Sequence, residues 1–355
     1  MKIALIGPPL SGKSTLFSAI TGQPVDVAKA LLEHSAMIKV PDDRLAYLTQ
    51  LYRPKKTTEA TIEFCDFPGI SSADDSGKER YRKHLPQIRQ CDVLVTVVRA
   101  FANDAVLPFR DRIDAQGDVA AVADDLLFAD LETVSTRIDR LQSALKKPTR
   151  RHDEEKRELA LLEACQAALE DMKPLSTVLE GAEGAHLLRS FALLTEKPLI
   201  LVVNASEQSA AAKPAIRHEH AHAVLAVCAQ AEADIARLDA ADRQAFMDDL
   251  GIVEPARNRL IRTCYEAAGL ISFLTTGEDE VRAWPVRRGS SAVEAAGKIH
   301  SDIARGFIRA ETMAYDDLKT AGGDVKAVRA AGKLRQEGKE YTVKDGDIIH
   351  FKFNV

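Results

Sequence analysis

The chain has almost no excess of charge: 355 residues carry a formal net charge of −5. Nothing global therefore draws it to nucleic acid or to an anionic membrane, and any such contact must come from a local patch. It lacks paired cysteines. Cys65, Cys91, Cys165, Cys228 and Cys264 are scattered, and an odd count argues against a complete disulfide framework, so they read as reduced core thiols. No apolar run approaches a membrane span, which leaves no membrane partner to expect. The opening MKIALIGPPL is apolar for only a few residues before Gly-Pro-Pro. That makes a poor signal peptide, and the cytoplasm is the expected compartment. Tryptophan occurs once, at Trp284, in an alternating strand where core or edge packing is its expected role.

What remains is ordinary for a globular protein: 46% hydrophobic and 28% charged residues, long enough for two or three domains. Short apolar runs, KIALIG, ATIEFCDF and DVLVTVV, alternate with amphipathic stretches up to about Phe109. They read as buried strands of a parallel sheet in an α/β fold. Near Asp118 the texture changes. Leu127, Leu131, Val134, Ile138, Leu141 and Leu145 recur at spacings of four and three, a seam along one long helix. A second helix runs from about His152 to Met172, with Leu159, Leu162, Cys165, Leu169 and Met172 on one face. A short Pro-containing turn makes the two an antiparallel hairpin with a basic tip of Lys146, Lys147, Arg150 and Arg151. Strands return at LILVVN and AVLAVCA, with a helix expected near Lys213 to Ala221 between them. The hairpin is thus inserted within one α/β domain. Helical patterns at Asp242 to Leu250 and Pro255 to Ala268 precede short strands and turns from about Leu270. Asp345-Gly346 there reads as a hairpin turn in a separate small α+β domain.

Three motifs carry chemistry. GPPLSGKST runs through Gly7, Pro8, Pro9, Leu10, Ser11, Gly12, Lys13, Ser14 and Thr15, between the first strand and the first helix. Its glycines let backbone N–H groups approach phosphates. Lys13 offers a charge for the β- and γ-phosphates and Ser14 a hydroxyl for Mg²⁺. Asp66 ends a second buried strand and is expected to hold Mg²⁺ through water, with Gly69 offering an N–H to a γ-phosphate. Ile70 follows, where Ras-like enzymes place the Gln that orients water. The third motif, VVNASE, ends a strand at Asn204 with Glu207 beyond it. It reads a purine. Glu207 stands where guanine readers carry Asp and Ala205 where they carry Lys, so ATP is favoured over GTP. Lys13 is the candidate for stabilising charge in catalysis, and no general base is assigned.

In this order the motifs resemble the Obg-like ATPase family of the YchF type. ARGFIRAETMAYDDL, AGKLRQEGKEYTVKDGDIIHFKFNV and GLISFLTTGEDEVRAWPVRRGS resemble its terminal TGS domain, a β-grasp module. RLIRTCYEAAGL and VPDDRL are also similar to the family. The resemblance covers nearly the whole chain. It implies a P-loop domain over 1–117 and 195–269, a helical hairpin over 118–194 and a TGS-like domain over 270–355. It also implies ATP preference, association with the ribosome or RNA through the hairpin and TGS-like domain, and a base loop at Cys228-Ala229. A monomer is expected.

The sequence departs from that family in three places. VAKALLEHSAMIKVP lacks the first-switch Thr, SSADDSGKERYRKH replaces a Gly-rich second switch, and Pro108 stands where the family has a His tied to hydrolysis. His84 is close in sequence to the second switch. Two rivals follow: a nucleotide-gated binding module with negligible turnover, and a GTP-preferring GTPase. A small-molecule P-loop kinase fits the phosphate loop alone. His218, His220 and His222 alternate, but on a helix that spacing scatters them and no metal site is assigned. Arg305, Arg309, Lys333, Arg335 and Lys339 offer either a basic face or a solvated surface.

Overall fold

The computed structural model describes residues 1–23, 33–69, 75–146, 151–181, 183–210, 214–249 and 254–354. The chain divides into two units, Met1–Ala36 with Glu63–Arg257 and Met37–Ile62 with Asn258–Val355. In chain order the strands are β1 (Lys2–Ile6), β2 (His34–Lys39), β3 (Lys56–Thr58), β4 (Thr61–Asp66), β5 (Val93–Ala100), β6 (Leu199–Ala205), β7 (Ala223–Val227), β8 (Leu270–Thr275), β9 (Glu280–Arg287), β10 (Phe307–Ala314), β11 (Arg335–Glu337) and β12 (Asp347–Phe353). The helices of the first unit include α1 (Lys13–Thr21), α3 (Asp75–Arg89), α4 (Ala115–Ala144), α5 (His152–Glu170), α6 (Ser176–Leu179), α7 (Glu207–Ala210) and α8 (Ala229–Arg237), and α2 (Asp43–Tyr52) belongs to the second.

The first sheet has the order β2-β4-β1-β5-β6-β7, with β4, β1, β5, β6 and β7 parallel. Apolar runs such as VLVTVV in β5 are buried throughout, as a sheet covered on both faces requires. Register aligns Leu5 with Asp66, Ile6 with Thr96, Arg99 with Asn204 and Asn204 with Val227. Gly7, Asp66, Arg99, Asn204 and Cys228 therefore end up along one edge, the carboxyl ends where such sheets place ligands.

The expected helical pair is present. The first turns of α4 put Val122, Leu126 and Ala129 against Ala4, Ile6 and Leu94 of the sheet. Farther along, Val134, Ile138 and Leu141 pack with Leu162, Cys165 and Leu169 of α5. Met172 does not join that face. It lies beyond α5 at φ 58° and is 47% exposed, because Lys173 N–H turns back to the Ala168 carbonyl and ends the helix. At the tip, Arg151 is paired with Glu154; Lys147 and Arg150 lie outside the described residues.

One buried carboxylate fastens the pair to the sheet. Asp130 of α4 is fully buried. Its Oδ1 accepts from Leu194 N–H (3.0 Å) and Arg89 (2.8 Å), and its Oδ2 from Thr195 N–H (2.8 Å) and the Thr195 hydroxyl (2.9 Å). Arg89 also donates to Ala129, Ala192 and Thr133. The return of the chain towards β6 is thus tied to α3 and α4 together.

The helix expected at Lys213 to Ala221 is absent from 214–221; Lys213 itself lies outside the described residues. The segment meets its backbone needs at long range. Arg217 N–H donates to Gln116 Oε1, Gln116 Nε2 to the Arg217 carbonyl, and His222 N–H to the Leu199 carbonyl. His218 and His220 stand edge to face at 6.3 Å between ring centres, and no group of three or more metal-ligating side chains occurs among the described residues.

The second unit holds the mixed sheet β11-β10-β12-β8-β9-β3. β10 lies antiparallel to β11 and β12, β12 parallel to β8, β8 antiparallel to β9, and β3 parallel to β9. β3 and α2 therefore group with the C-terminal residues, where the sequence reading gave 1–117 to the nucleotide domain. Arg44 of α2 reinforces this by bridging Asp42 and Asp345 (both 2.8 Å). Residues Asn258 to Gly269 likewise fall in this unit. Asp345-Gly346 is a turn but not a hairpin between adjacent strands. Before it, Thr342 pairs with Ser291 and Val343 N–H reaches the Ser290 carbonyl, while β12 after it pairs with β10 and β8. Trp284 stacks on Phe273 and donates Nε1–H to Thr275. Arg305, Lys333 and Arg335 pair with Asp302, Asp317 and Glu337, so three of the five candidate surface cations are already neutralised. No helix among the described residues is long and apolar enough to cross a membrane.

Candidate functional site

β1 ends at Ile6 and the chain wraps through Gly7 to Gly12 into α1. Gly7 has φ +140°, and a Cβ there would lie 2.3 Å from the Val97 carbonyl oxygen. Gly12 has φ +91°, and its Cβ would lie 2.1 Å from Asn204 Nδ2. Both positions thus exclude a side chain for space as well as conformation. Pro8 and Pro9 have no N–H, so the amide donors of this loop come from Leu10 onward. Gly12 caps α1 with no side-chain hydrogen bond, which leaves the first amides of Lys13, Ser14 and Thr15 for an anion. Leu10 takes a left-handed φ of 61° and is 53% exposed.

Lys13 is buried, and its ammonium curls back to the carbonyls of Gly7 (3.1 Å) and Pro8 (2.8 Å). Burial pushes it down to about 8, against the pull of Asp66. Asp66 is buried at the end of β4. Burial raises its carboxyl, opposed by Lys13 and by the nearby Ser14 hydroxyl. Among the described residues its Oδ1 has no hydrogen-bond partner, nor has the buried hydroxyl of Ser11. Gly69 lies against the loop: a Cβ there would be 2.7 Å from Pro9 Cα. Ile70 lies outside the described residues, as do 27–32 of the first switch and 71–74 of the second.

Asn204 is buried and holds two loops together. Its Nδ2 donates to the Ser11 carbonyl (3.0 Å), and its Oδ1 accepts from Ala229 N–H (3.0 Å). One Nδ2 hydrogen remains for a ligand. A cavity of about 590 Å³ opens beside it, walled by Leu10, Gly12 and Thr15, by Phe101 to Asn103 and Val106, by Asn204 to Gln208, and by Cys228 and Gln230. Glu207 stands exposed on that wall at the start of α7, and Cys228 is half-buried at the start of α8. Asn204→Ala should cost roughly 2–3 kcal/mol, because it strands the Ser11 carbonyl and the Ala229 amide in the interior. Urea unfolding measures this; an unchanged midpoint would show that Asn204 does not join the loops.

Arg99 was not singled out from the sequence. It is buried at the end of β5 and donates to the carbonyls of Phe101 (3.0 Å), Val106 (2.9 Å) and Leu107 (3.3 Å), with its guanidinium 4.5 Å from the Phe101 ring centre. It shapes the loop that forms one cavity wall. The available signal was an arginine closing an otherwise apolar strand, since an arginine is rarely fully buried without partners. Pro108 follows this loop and does not line the cavity. His84 packs edge to face on Phe67, 6.1 Å between ring centres, with Nδ1 buried and unbonded among the described residues and its basicity lowered by burial.

Residues 2–125 match the family model described as "50S ribosome-binding GTPase", and residues 270–354 match YchF-GTPase_C, described as "Protein of unknown function (DUF933)". The chain is 40% identical to "Ribosome-binding ATPase YchF" of Bacillus subtilis, over 99% of this chain and 98% of that protein. It is 36% identical to "Obg-like ATPase 1" of Oryza sativa subsp. japonica, over 100% of this chain and 92% of that one. Among solved structures it resembles the Schizosaccharomyces pombe YchF GTPase, with a TM-score of 0.81 at 29% identity, over 99% of this chain and 97% of that chain. Those names disagree on ATP or GTP, which makes the cavity wall at Asn204 to Gln208 the informative part of the site.

Proposed function

Because this chain belongs to the YchF family of P-loop NTPases, we propose that it is a ribosome-associated ATPase that binds Mg²⁺ and ATP in preference to GTP and turns over slowly. The observation that carries the phosphate and metal half is Asp66 Oδ1, buried near Lys13 and the Ser14 hydroxyl with no hydrogen-bond partner among the described residues. A buried carboxylate oxygen without a partner is costly unless a ligand completes it, so the residues fit a hard, oxygen-seeking cation. Mg²⁺ bound there would neutralise charge on the β- and γ-phosphates. Ser14 and Asp66 would hold the metal. Lys13 leaves its two carbonyls for the phosphates. The amides of Leu10 to Thr15 and of Gly69 donate to phosphate oxygens. In this reading 118–194 is the inserted hairpin and the protein acts as a monomer in the cytoplasm, where ribosomes work.

Asn204 turns its remaining N–H to the purine, with Cys228 and Ala229 lining the base. Glu207 is one methylene longer than the Asp of guanine readers, which carries its carboxylate past the N1–H and 2-amine that guanine presents. Glu207→Asp should move preference towards GTP by about tenfold, the scale of one charged hydrogen bond. Paired ATP and GTP titrations in Mg²⁺ check it. Equal GTP preference in both proteins would end the ATP assignment.

A second reading, a nucleotide-gated module with negligible hydrolysis, draws on Ile70 in place of the water-orienting Gln and on Pro108, which has no proton to move. Single-turnover phosphate release with and without ribosomes separates the two. Release that ribosomes accelerate supports the slow ATPase; none in either condition supports the module.

A further inference from the structure

The first unit holds a second cavity, of about 250 Å³, at the other end of the strands that carry the nucleotide site. Leu94 and Leu199 line it, and they pair with each other at the first residues of β5 and β6. Phe101, Asn204 and Ala205 line the nucleotide cavity at the last residues of the same strands. From Leu199 to Asn204 a strand advances about 17 Å, so the two cavities are separate. The walls of the second are mostly apolar, completed by α4 and by Met172 and Pro174 beyond α5. That gives Met172, which leaves the face of α5, a place in the fold.

The polar groups on these walls, Ser176 and His220 among them, differ in how far they are committed. Gln116 is committed to the backbone of Arg217, and Thr195 to Asp130. Lys197 and His218 are not committed. Lys197 is half-buried, and its ammonium makes no hydrogen bond or ion pair among the described residues. His218 buries Nδ1 with no partner among them. Burial lowers the basicity of both; at Lys197 the nearby carboxylates of Asp92, Glu196 and Asp130 pull the other way. Asp124 on the same wall opposes any ligand of high negative charge. The volume is below the roughly 300–1,000 Å³ of pockets for drug-sized ligands.

We propose that this cavity is a binding site for a small organic monoanion, a carboxylate on a compact apolar body, with the carboxylate held by Lys197 and His218 and the body seated among Leu94, Leu199 and Met172. A monocarboxylate supplies the acceptor both groups lack, and its apolar part displaces water from an apolar wall. Because β5 and β6 run directly from this site to Arg99 and Asn204, its occupant sits at the foot of the elements that shape the nucleotide cavity.

The test uses the full chain and 4-(trifluoromethyl)benzoate, followed by fluorine NMR line broadening. The benzoate should bind, and the neutral benzamide of the same shape should bind at least about tenfold more weakly. Lys197→Met should erase that difference, Lys197→Arg should keep it, and Ala123→Phe should fill the space and exclude both probes. Saturating ATP and Mg²⁺ should not displace the benzoate. Far-ultraviolet circular dichroism and ATP titration on each variant verify an intact fold. The proposal is overturned by equal binding of acid and amide, by an unchanged preference in a folded Lys197→Met protein, by displacement with ATP, or by no binding up to about 10 mM.

Discussion

Replacing Lys13 with methionine should lower nucleotide hydrolysis by roughly 10²–10³-fold, the loss expected when one preorganised charge is taken from a site that stabilises phosphate oxygens. The same substitution should raise the melting temperature of the ligand-free protein. The two effects have one cause. Lys13 is buried with only two backbone carbonyls to bond, and burial holds its ammonium down to about 8 even with Asp66 nearby. The charged form is therefore disfavoured in the folded, empty site relative to the unfolded chain, where the group is solvated. Methionine keeps much of the aliphatic stem and removes that cost. Phosphate release and a thermal melt, made on the same preparation, check both halves. Hydrolysis within about threefold of the parent would remove Lys13 from the phosphate site. A lower melting temperature would show that its two carbonyl bonds outweigh desolvation.

Asp130→Asn should destabilise the first unit by roughly 3–5 kcal/mol, the cost of leaving a buried charge without its partner. The substitution keeps the shape of the side chain, so packing does not explain the loss. It leaves Arg89 without a counter-charge. It also turns an N–H₂ group towards donors: either the Thr195 side or the Leu194 and Arg89 side loses its acceptor. The Thr195 hydroxyl, which already accepts from Leu175 N–H, can take one N–H of the new amide, but the Thr195 backbone N–H is then left without its acceptor. A fall in melting temperature of at least about 6 °C is expected. A variant melting within about 1 °C of the parent would mean that Asp130 is not the fastening point of the helical pair. Nucleotide affinity, measured beside it, should change little, since Asp130 lines neither the phosphate loop nor the purine cavity.

These two residues differ in how visible they were before the structure. Lys13 was legible because its motif is local: a strand, a glycine loop and a helix within a few residues. The buried strands β1, β4, β5 and β6 and the seam from Val134 to Leu141 were legible for the same reason, since periodicity is a short-range property. Asp130 was hidden, an acid within a charged helix whose donors lie 64 and 65 residues away. Arg99 was hidden because its acceptors are backbone carbonyls, which every sequence has. The absent helix at 214–221 and the misread Asp345-Gly346 turn share this origin. Local propensity pointed one way, and bonds to Gln116, Leu199, Ser290 and Ser272 decided the other. In the site, the residue types were legible and their partners were not. Asn204 stood out at the end of an apolar strand, but its bond to Ser11 spans 193 residues.

The second unit is assembled from two pieces of chain, Met37–Ile62 and Asn258–Val355. On a ribosome the first piece is made early, and β9, the only described neighbour of β3 in its sheet, follows after roughly 200 further residues. At about 5–20 residues per second the wait is roughly 10–40 s. During that time Lys56 to Thr58 form an unpaired edge, and Arg44 has Asp42 but not Asp345. The charged residues around that edge, Lys55, Lys56 and Glu59, are of the kind that discourages an unpaired edge from pairing with other chains.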